Sequence, residues 1–294
     1  MATNFPVRII SVNDDDYPRL LKEIHDPPQQ LFVRGQMDPD ALYFAVVGTR
    51  KLSAYGKQAT SPIVRELVRA GLVIVSGLAY GIDTEAHKAA TEAGGKTIAV
   101  LGSGIDDKSI YPAVNKNLAR KILETGGALI SEYPEGTGPE PWHFPARNRI
   151  IAGMSKGVLV VEAPKGSGAL ITADIALREN REVFAVPGPI TLENSFGPNR
   201  LIQMGAKLVL SAGDILEEWG LHPRTLSPEL VEGQALQFTN EEKKIFEAVK
   251  EAPQHIDAIV EKTGYDIIKL TTLLTTMELD GKIKNLGGGL YGVA

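Results

Sequence analysis

From Tyr43 to about Trp219, short apolar runs alternate with longer stretches of helical period. The runs are YFAVVG (43–48), LVIVSG (72–77), TIAVLG (97–102), ALISEY (128–133), GVLVVEA (157–163), EVFAVPG (182–188) and KLVLS (207–211). Nearly all are apolar throughout instead of alternating, as strands covered on both faces must be. Helices are expected between them, among others at 56–70, 84–93 and 172–179. Strand, helix, strand repeated in this way gives a doubly wound, mainly parallel α/β sheet by right-handed crossovers.

After Trp219 the pattern changes. HPRTLSPELVEGQALQF (222–238) has two prolines, a glycine and no clear period, and reads as a linker. Residues 239–294 then give three short helices and a terminal hairpin, the order of a winged helix. Thr239 and Glu242 match a capping box at the first helix, Gly264 ends the second, and Asp266 is placed to cap the third. GKIKNLGGGLYGV supplies two short strands around a glycine turn. Residues 1–42 form an N-terminal extension whose DPPQQLFVRG looks like an extended connector into the first strand. The expected organisation is therefore an extension (1–42), an α/β domain (43–221), a linker (222–238) and a winged-helix-like domain (239–294).

Composition, at 43% hydrophobic and 23% charged residues, is that of an ordinary soluble globular protein. No apolar run reaches the length of a membrane span. The opening MATNFPVRIISVNDDDYP lacks the basic start and apolar core of a signal peptide, so the cytoplasm is the expected location. The absence of cysteine excludes disulfides, thiolate metal sites and a cysteine nucleophile. Five histidines form no HxxxH pair, so no metal is expected. A net charge of −5 argues against indiscriminate nucleic-acid binding. It leaves room for a focused basic groove, because local field and not total charge attracts phosphate.

Ligands of open α/β sheets bind beyond the carboxyl ends of the strands. Here those ends read GTR (48–50), SGLAYGID (76–83), LGSGID (101–106), EAPKGSGALITA (162–173) and PGPI (187–190). Glycines such as Gly48, Gly77, Gly102 and Gly104, with Ser103 between the last two, allow close backbone approach. The helix N-termini that follow offer free N–H groups, and together the turns read as an anion-binding rim. Neither GxxxxGK[ST] nor a well-placed GxGxxG is present, so no nucleotide or dinucleotide cofactor is expected. Arg50 and Lys165 stand at this rim, either as surface cations or as phosphate clamps. Asp83 and His87 share a helix face, with Glu85 between them; capping and packing account for them as well as acid–base chemistry does. Glu132 and Glu162 each follow an apolar strand. No Ser–His–Asp set or GxSxG is legible, and no catalytic residue is assigned.

One stretch is at odds with helix electrostatics. In FPARNRIIAGMSKG (144–157), a helix beginning near Pro145 carries Arg147 and Arg149 in its first turn. That end of a helix is already partially positive. Either the arginines reach local carboxylates or the site holds an anion.

These residues, taken in order, resemble the bacterial DNA-processing protein A (DprA, or Smf) family. The resemblance runs through YPRLLKEIHDPPQQLFVRG, VVGTR, SGLAYGID, LGSGID, ISEYPEG, FPARNRIIAGMS, GSGALITA, PGPI and GPNRLIQMGAKLV, nearly the whole chain. It implies an extended Rossmann-like domain that binds single-stranded DNA, dimerises and loads the RecA recombinase during natural transformation, without catalysis. Carried over by motif, the DNA groove takes Arg50, Phe144, Arg147, Asn148, Arg149, Lys165, Gly166, Ser167 and Gly168. On that reading both arginines face a phosphate, and Phe144 stacks on a base. Self-association falls on Asn199, Ile202 and Leu208. Leu201 and Met204 are expected to share a helix face, with Ile202 pointing off it.

The chain also departs from the family. After the Tyr-Pro of the third βα turn, a basic residue is replaced by Ala113, with Lys116 the next cation, and Asp107 adds a negative charge. YPRLL begins at Tyr17, so the sterile-alpha-motif-like module of many members is expected to be missing or reduced. The third tail helix, DIIKLTTLLTTMELDG, offers only Lys269, and residues 239–294 carry nine acids against seven lysines. That balance favours a protein-contact or regulatory tail over duplex reading. The alternative function is a nucleotide-processing enzyme like the lysine-decarboxylase-like (LOG) phosphoribohydrolases. Their PGGxGTxxE turn carries a catalytic glutamate, whereas KGSGALITAD has Thr172 or its neighbours at that place.

Overall fold

The computed structural model describes residues 5–221, 238–250, 252–279 and 282–293. The expected linker lies outside them except for Phe238. The chain forms two compact units, 1–225 and 226–294.

In the first unit the largely apolar runs become β3 (Tyr43–Val47), β4 (Val73–Ser76), β5 (Thr97–Leu101), β6 (Ala128–Ser131), β7 (Gly157–Val160), β8 (Glu182–Ala185) and the short β9 (Lys207–Leu208), with α7 (Phe196–Gln203) after β8 and α8 (Ala212–Glu218) after β9. Their neighbours pair in parallel, in the order β6-β5-β4-β3-β7-β8-β9. The order reverses at β3, which lies between β4 and β7, so the crevice beyond the ends of β3 and β7 is the topological switch point.

Within each strand the two-residue period that the sequence hides becomes visible in three dimensions. Phe44 and Val46 of β3 enter one layer with Ile63, Val64 and Leu67 of α2 (Ala54–Arg69) and Ile82, Ala86 and Ala90 of α3 (Ile82–Glu92). Ala45 and Val47 enter the other, with Ile150, Ile151 and Met154 of α5 (His143–Met154) and Ala169, Ala173 and Ala176 of α6 (Gly168–Arg178). Each fully buried Ile, Leu or Phe contributes about 1.5–3 kcal/mol by leaving water. Between α3 and β6, α4 (Lys116–Glu124) covers Leu101 and Leu129 with Leu118, Ile122 and Leu123.

The N-terminal residues do not stand apart as a preface. β1 (Val7–Ser11) and β2 (Gln30–Gly35) extend the sheet to nine strands, β2 running antiparallel to both β1 and β6. The expected connector DPPQQLFVRG is itself the source of β2. Its alternation is masked because Leu31, Phe32 and Val33 are all covered, by both layers. Between β1 and β2, α1 (Arg19–Lys22) buries Leu21 against Gly153 of α5.

The second unit packs α9 (Asn240–Val249), α10 (Ile256–Thr263) and α11 (Ile267–Leu279) around Ile245, Ile259, Leu270, Leu274 and Met277. A three-stranded sheet completes it, β10 (Gln254–His255) and β11 (Ile283–Gly287) flanking β12 (Leu290–Val293). Thr239 and Glu242 make the reciprocal capping box, at 3.2 and 2.7 Å. Gly264 ends α10 in the left-handed region at φ 71°, and Gly287, Gly288 and Gly289 turn the wing with positive φ. No described helix is long and apolar enough to cross a membrane.

Candidate functional site

At the switch point the loops after β3 and β7 and the helices α5 and α6 enclose a cleft of about 530 Å³. Gly48, Arg50, Phe144, Arg147, Asn148, Ser167 and Gly168, all singled out in the sequence, line it. Ala79, Asp83, Pro141 and Ile171 complete the wall. The sequence offered one faint sign of Ile171, an apolar residue in the first turn of a helix opening on a glycine loop; the structure leaves it 43% exposed.

Arg147 forms the floor. It is 5% exposed, its Nη1 donates to the Val100 carbonyl, and its Nε has no hydrogen-bond partner among the described residues. The guanidinium lies flat against Gly77, where a Cβ would come within 2.0 Å of Nη1, so only glycine admits it. Burial lowers Arg147 to about 10, Asp83 opposing this and Arg50 adding to it; it remains a cation at neutral pH. The two arginines therefore repel each other across a cleft that an anion would stabilise.

Asp83 is not a helix cap. Its Oδ2 accepts from Gly77 N at 3.0 Å, bracing the turn under Arg147. Burial pushes its carboxyl up, against the pull of Arg147 and its backbone donors. His87 is a packed residue: Nδ1 lies 2.8 Å from Thr97 Oγ1, whose proton goes to the Ile74 carbonyl. Burial together with Arg147 drives His87 down to about 3.

Above the floor, the exposed Arg50 guanidinium sits 5.1 Å from the Phe144 ring centroid, a cation–π contact. Tyr111 flanks Phe144 at 5.9 Å. Opposite, Ser167 caps α6 by accepting from Ala169 N at 3.3 Å, and Asn148 Nδ2 donates to the Gly168 carbonyl at 3.4 Å. The cleft thus joins two guanidiniums, one aromatic face and a helix N-terminus, the elements of a site for an anion attached to a planar ring.

Several expected members do not reach this cleft. α5 begins at His143, two residues before Pro145, which moves both arginines beyond the first turn and eases the dipole conflict. Arg149 then turns away and binds local carboxylates, Nε to Asp26 at 3.0 Å and Nη2 to Glu132 at 2.7 Å. The two arginines therefore divide between the two explanations, and only Arg147 faces the cleft. Ser103 and Gly104 are buried beneath the 132–142 loop: Ser131 Oγ donates to the Ser103 carbonyl, and Gly104 N to that of Thr137. Gly102 has Phe144 3.2 Å from where a Cβ would stand, so it seats α5 and borders only a narrow crevice beside Arg147. Lys116, Lys165 and Gly166 are exposed but outside the cleft lining. Asn199 is held internally, its side chain bonded to both backbone groups of Gly188. Leu201 is buried and Ile202 half-buried against the core, whereas Met204, expected beside Leu201, is 64% exposed.

The glutamates are also engaged. Glu162 accepts from Ser53 N and Oγ at the start of α2, and Glu132 is paired with Arg149. Near Thr172, which lines the cleft, the next carboxylate is Asp174, bonded to Arg178 at 2.6 Å. Among the described residues, no group of three His, Asp or Glu side chains is arranged to hold a metal.

Fold and site define a Rossmann-like protein with an arginine-lined, aromatic-edged cleft at its switch point, on a chain that also carries a winged helix. The comparisons with known proteins narrow this. Residues 8–220 match the family described as DNA recombination-mediator protein A, and residues 234–289 match the DprA winged helix domain. The chain is 41% identical to protein Smf of Escherichia coli, over 96% of this chain and 76% of that protein. It is 49% identical to the DNA processing protein DprA of Streptococcus pneumoniae, over 71% and 73% respectively. The crystal structure of DprA from S. pneumoniae superposes with a TM-score of 0.68 at 47% identity, covering 75% of this chain and 76% of that one. DprA from Helicobacter pylori, whose structure was described for its mode of single-stranded DNA binding, superposes with a TM-score of 0.66 at 29% identity, covering 76% and 100%. The chain belongs to the DNA recombination-mediator protein A family.

Proposed function

We propose that this protein binds single-stranded DNA in the β3–β7 cleft and delivers it, as a homodimer, to a RecA-type recombinase, without chemical turnover. The observation that carries the reading is Arg147, a buried cation with no salt bridge among the described residues, beneath an Arg50–Phe144 pair. A phosphate satisfies the arginines while its base lies on Phe144, and neither contact depends on base identity. The cleft mouth suits one unpaired strand, because a base must leave its stack to meet the ring.

Self-association is supported by the sheet edge. Among the described residues β9 is short and has no partner on its outer side, and Leu208 (41% exposed), Leu210 and Met204 stand there exposed. Leu208→Arg is expected to give a folded monomer by light scattering. The tail is proposed as a contact module for protein: Lys269, the one lysine of α11, is tied to Glu241 at 2.6 Å and lies over Tyr265, leaving Thr271 and Thr275 along a shallow groove.

The deciding experiment is a gel shift with single- and double-stranded oligonucleotides over a salt series. Preference for the single strand, with affinity falling as salt rises, is the expected result. Equal affinity for duplex, or none for either, defeats the reading.

A further inference from the structure

The loop that precedes α5 carries the most exposed aromatic side chain of the described residues. Trp142 is 66% exposed, directly before the helix that positions Phe144 and Arg147. The other tryptophan, Trp219, is packed edge-on to Phe44 and Phe184 at 5.6 and 5.7 Å. A bare indole of this size exposes more apolar surface than a solvated loop requires, and here it is held in place.

The support comes from two directions. Trp142 meets the His143 ring edge-to-face at 5.9 Å, and His143 stacks on Tyr133 at 3.8 Å. His143 is braced in turn because its Nδ1 faces the Gly102 carbonyl at 3.2 Å, an acceptor that requires the hydrogen on Nδ1. The loop itself is anchored where Asp106 accepts from Gly136 N at 2.9 Å and Gly104 N donates to the Thr137 carbonyl at 2.9 Å. The indole is therefore a mounted platform, and ordering it on binding costs little.

Charge decides what the platform receives. From Ile122 to Ala146 the chain has no lysine or arginine, while Glu135 and Glu140 lie in the loop, Glu132 beside them being paired with Arg149. A phosphate is repelled here, and a neutral planar ring is not. We infer that Trp142 is a second stacking platform, taking a base of the same strand next to the one on Phe144. The inference rests on the single-strand reading of the cleft, and it extends the bound segment along the Tyr133–His143 side by contacts that involve no ion.

Intrinsic fluorescence and a salt series test this on the full-length protein with oligo-dT. Wild-type emission should be quenched on binding, and Trp142→Phe should abolish the quench while keeping affinity within about threefold, since a phenyl ring still stacks. Trp142→Ala should weaken binding about tenfold. Its plot of log affinity against log salt should keep the wild-type slope, because no counterion is released at this contact. Quenching that survives in Trp142→Phe, or wild-type affinity in Trp142→Ala, overturns the inference and assigns the indole to a protein contact. A wild-type protein that binds no oligo-dT at all defeats the single-strand reading itself, a different result from binding without Trp142. Because Trp142 is a surface residue, circular dichroism and melting curves of both variants should match the wild type.

Discussion

The two sides of α5 carry the same side chain two residues apart, with opposite electrostatic circumstances. Arg149 lies between Asp26 and Glu132, and its charge is consumed within the fold. Each keeps one buried guanidinium nitrogen with no hydrogen-bond partner among the described residues, but Arg147, the more deeply buried, has a carbonyl acceptor and no salt bridge among them. Burying a guanidinium without a bound carboxylate is costly. The fold sustains it only by removing the side chain at Gly77 and bracing the turn with Asp83. The difference teaches which arginine serves the structure and which serves a ligand: stability alone would have paired both.

The comparison is broken most directly at Arg147. Arg147→Gln keeps a donor for Val100 but removes the charge, and should weaken single-strand binding about 10- to 100-fold, the worth of a charged hydrogen bond. Filter binding at fixed salt measures this. Arg147→Glu is a poorer probe, since it places a second carboxylate beside the buried Asp83. Arg149→Ala should give the reverse result: unchanged DNA affinity in the same assay, with stability lower by about 1–2 kcal/mol because Asp26 and Glu132 lose their shared partner. Differential scanning calorimetry reads that as a Tm lower by a few degrees.

A smaller, pH-dependent effect comes from His87, whose depression to about 3 owes most to burial and then to Arg147. Its folded-state value lies below the unfolded one, so the unfolded chain binds more protons between the two. The neutral histidine's contribution is therefore complete above about pH 6.5 and is lost progressively as pH falls toward 3, at about 1.4 kcal/mol per unit. Urea melts at pH 7.5 and 5.5 should show this loss, and His87→Gln should flatten it. Smallest is Arg50→Ala, which keeps the fold and should reduce the single-strand salt slope by about 0.7, one phosphate's share.

The parallel sheet was legible because strands covered on both faces are apolar at most positions, and β3 to β8 are, with Ser76, Thr97, Ser131 and Glu182 the polar exceptions at their ends. β2 was not: beside prolines, and feeding directly into the next strand, it reads as a connector, and its pairing with β6 is set by residues far along the chain. In the cleft, Arg50, Ser167 and Gly168 could be placed from strand-end motifs, since the chain must pass the switch point there, whereas Phe144, on α5, was reached only through the family resemblance. The fate of Arg149 could not, because its partners come from the α1–β2 loop and the end of β6, and no spacing within FPARNR announces either. Ser103 and Gly104 show the same limit: a glycine turn at a strand end is open only if no later loop covers it, and the 132–142 loop does.

The antiparallel attachment of β2 to β6 also sets a timetable. During synthesis β3, β4 and β5 can pair in the order in which they emerge, and β6 joins them locally. β2 can pair at once with β1, made before it, but has to wait for β6, a delay of roughly 5–20 s at ordinary elongation rates. Through that interval Leu31 and Val33, fully buried in the finished sheet, lie along a strand with one open edge. Such an edge is a template for wrong partners. The nascent chain is thus most exposed to aggregation after its first strands are made and before residue 131 appears, and a truncation that removes β1 and β2 transfers the same open edge permanently to β6.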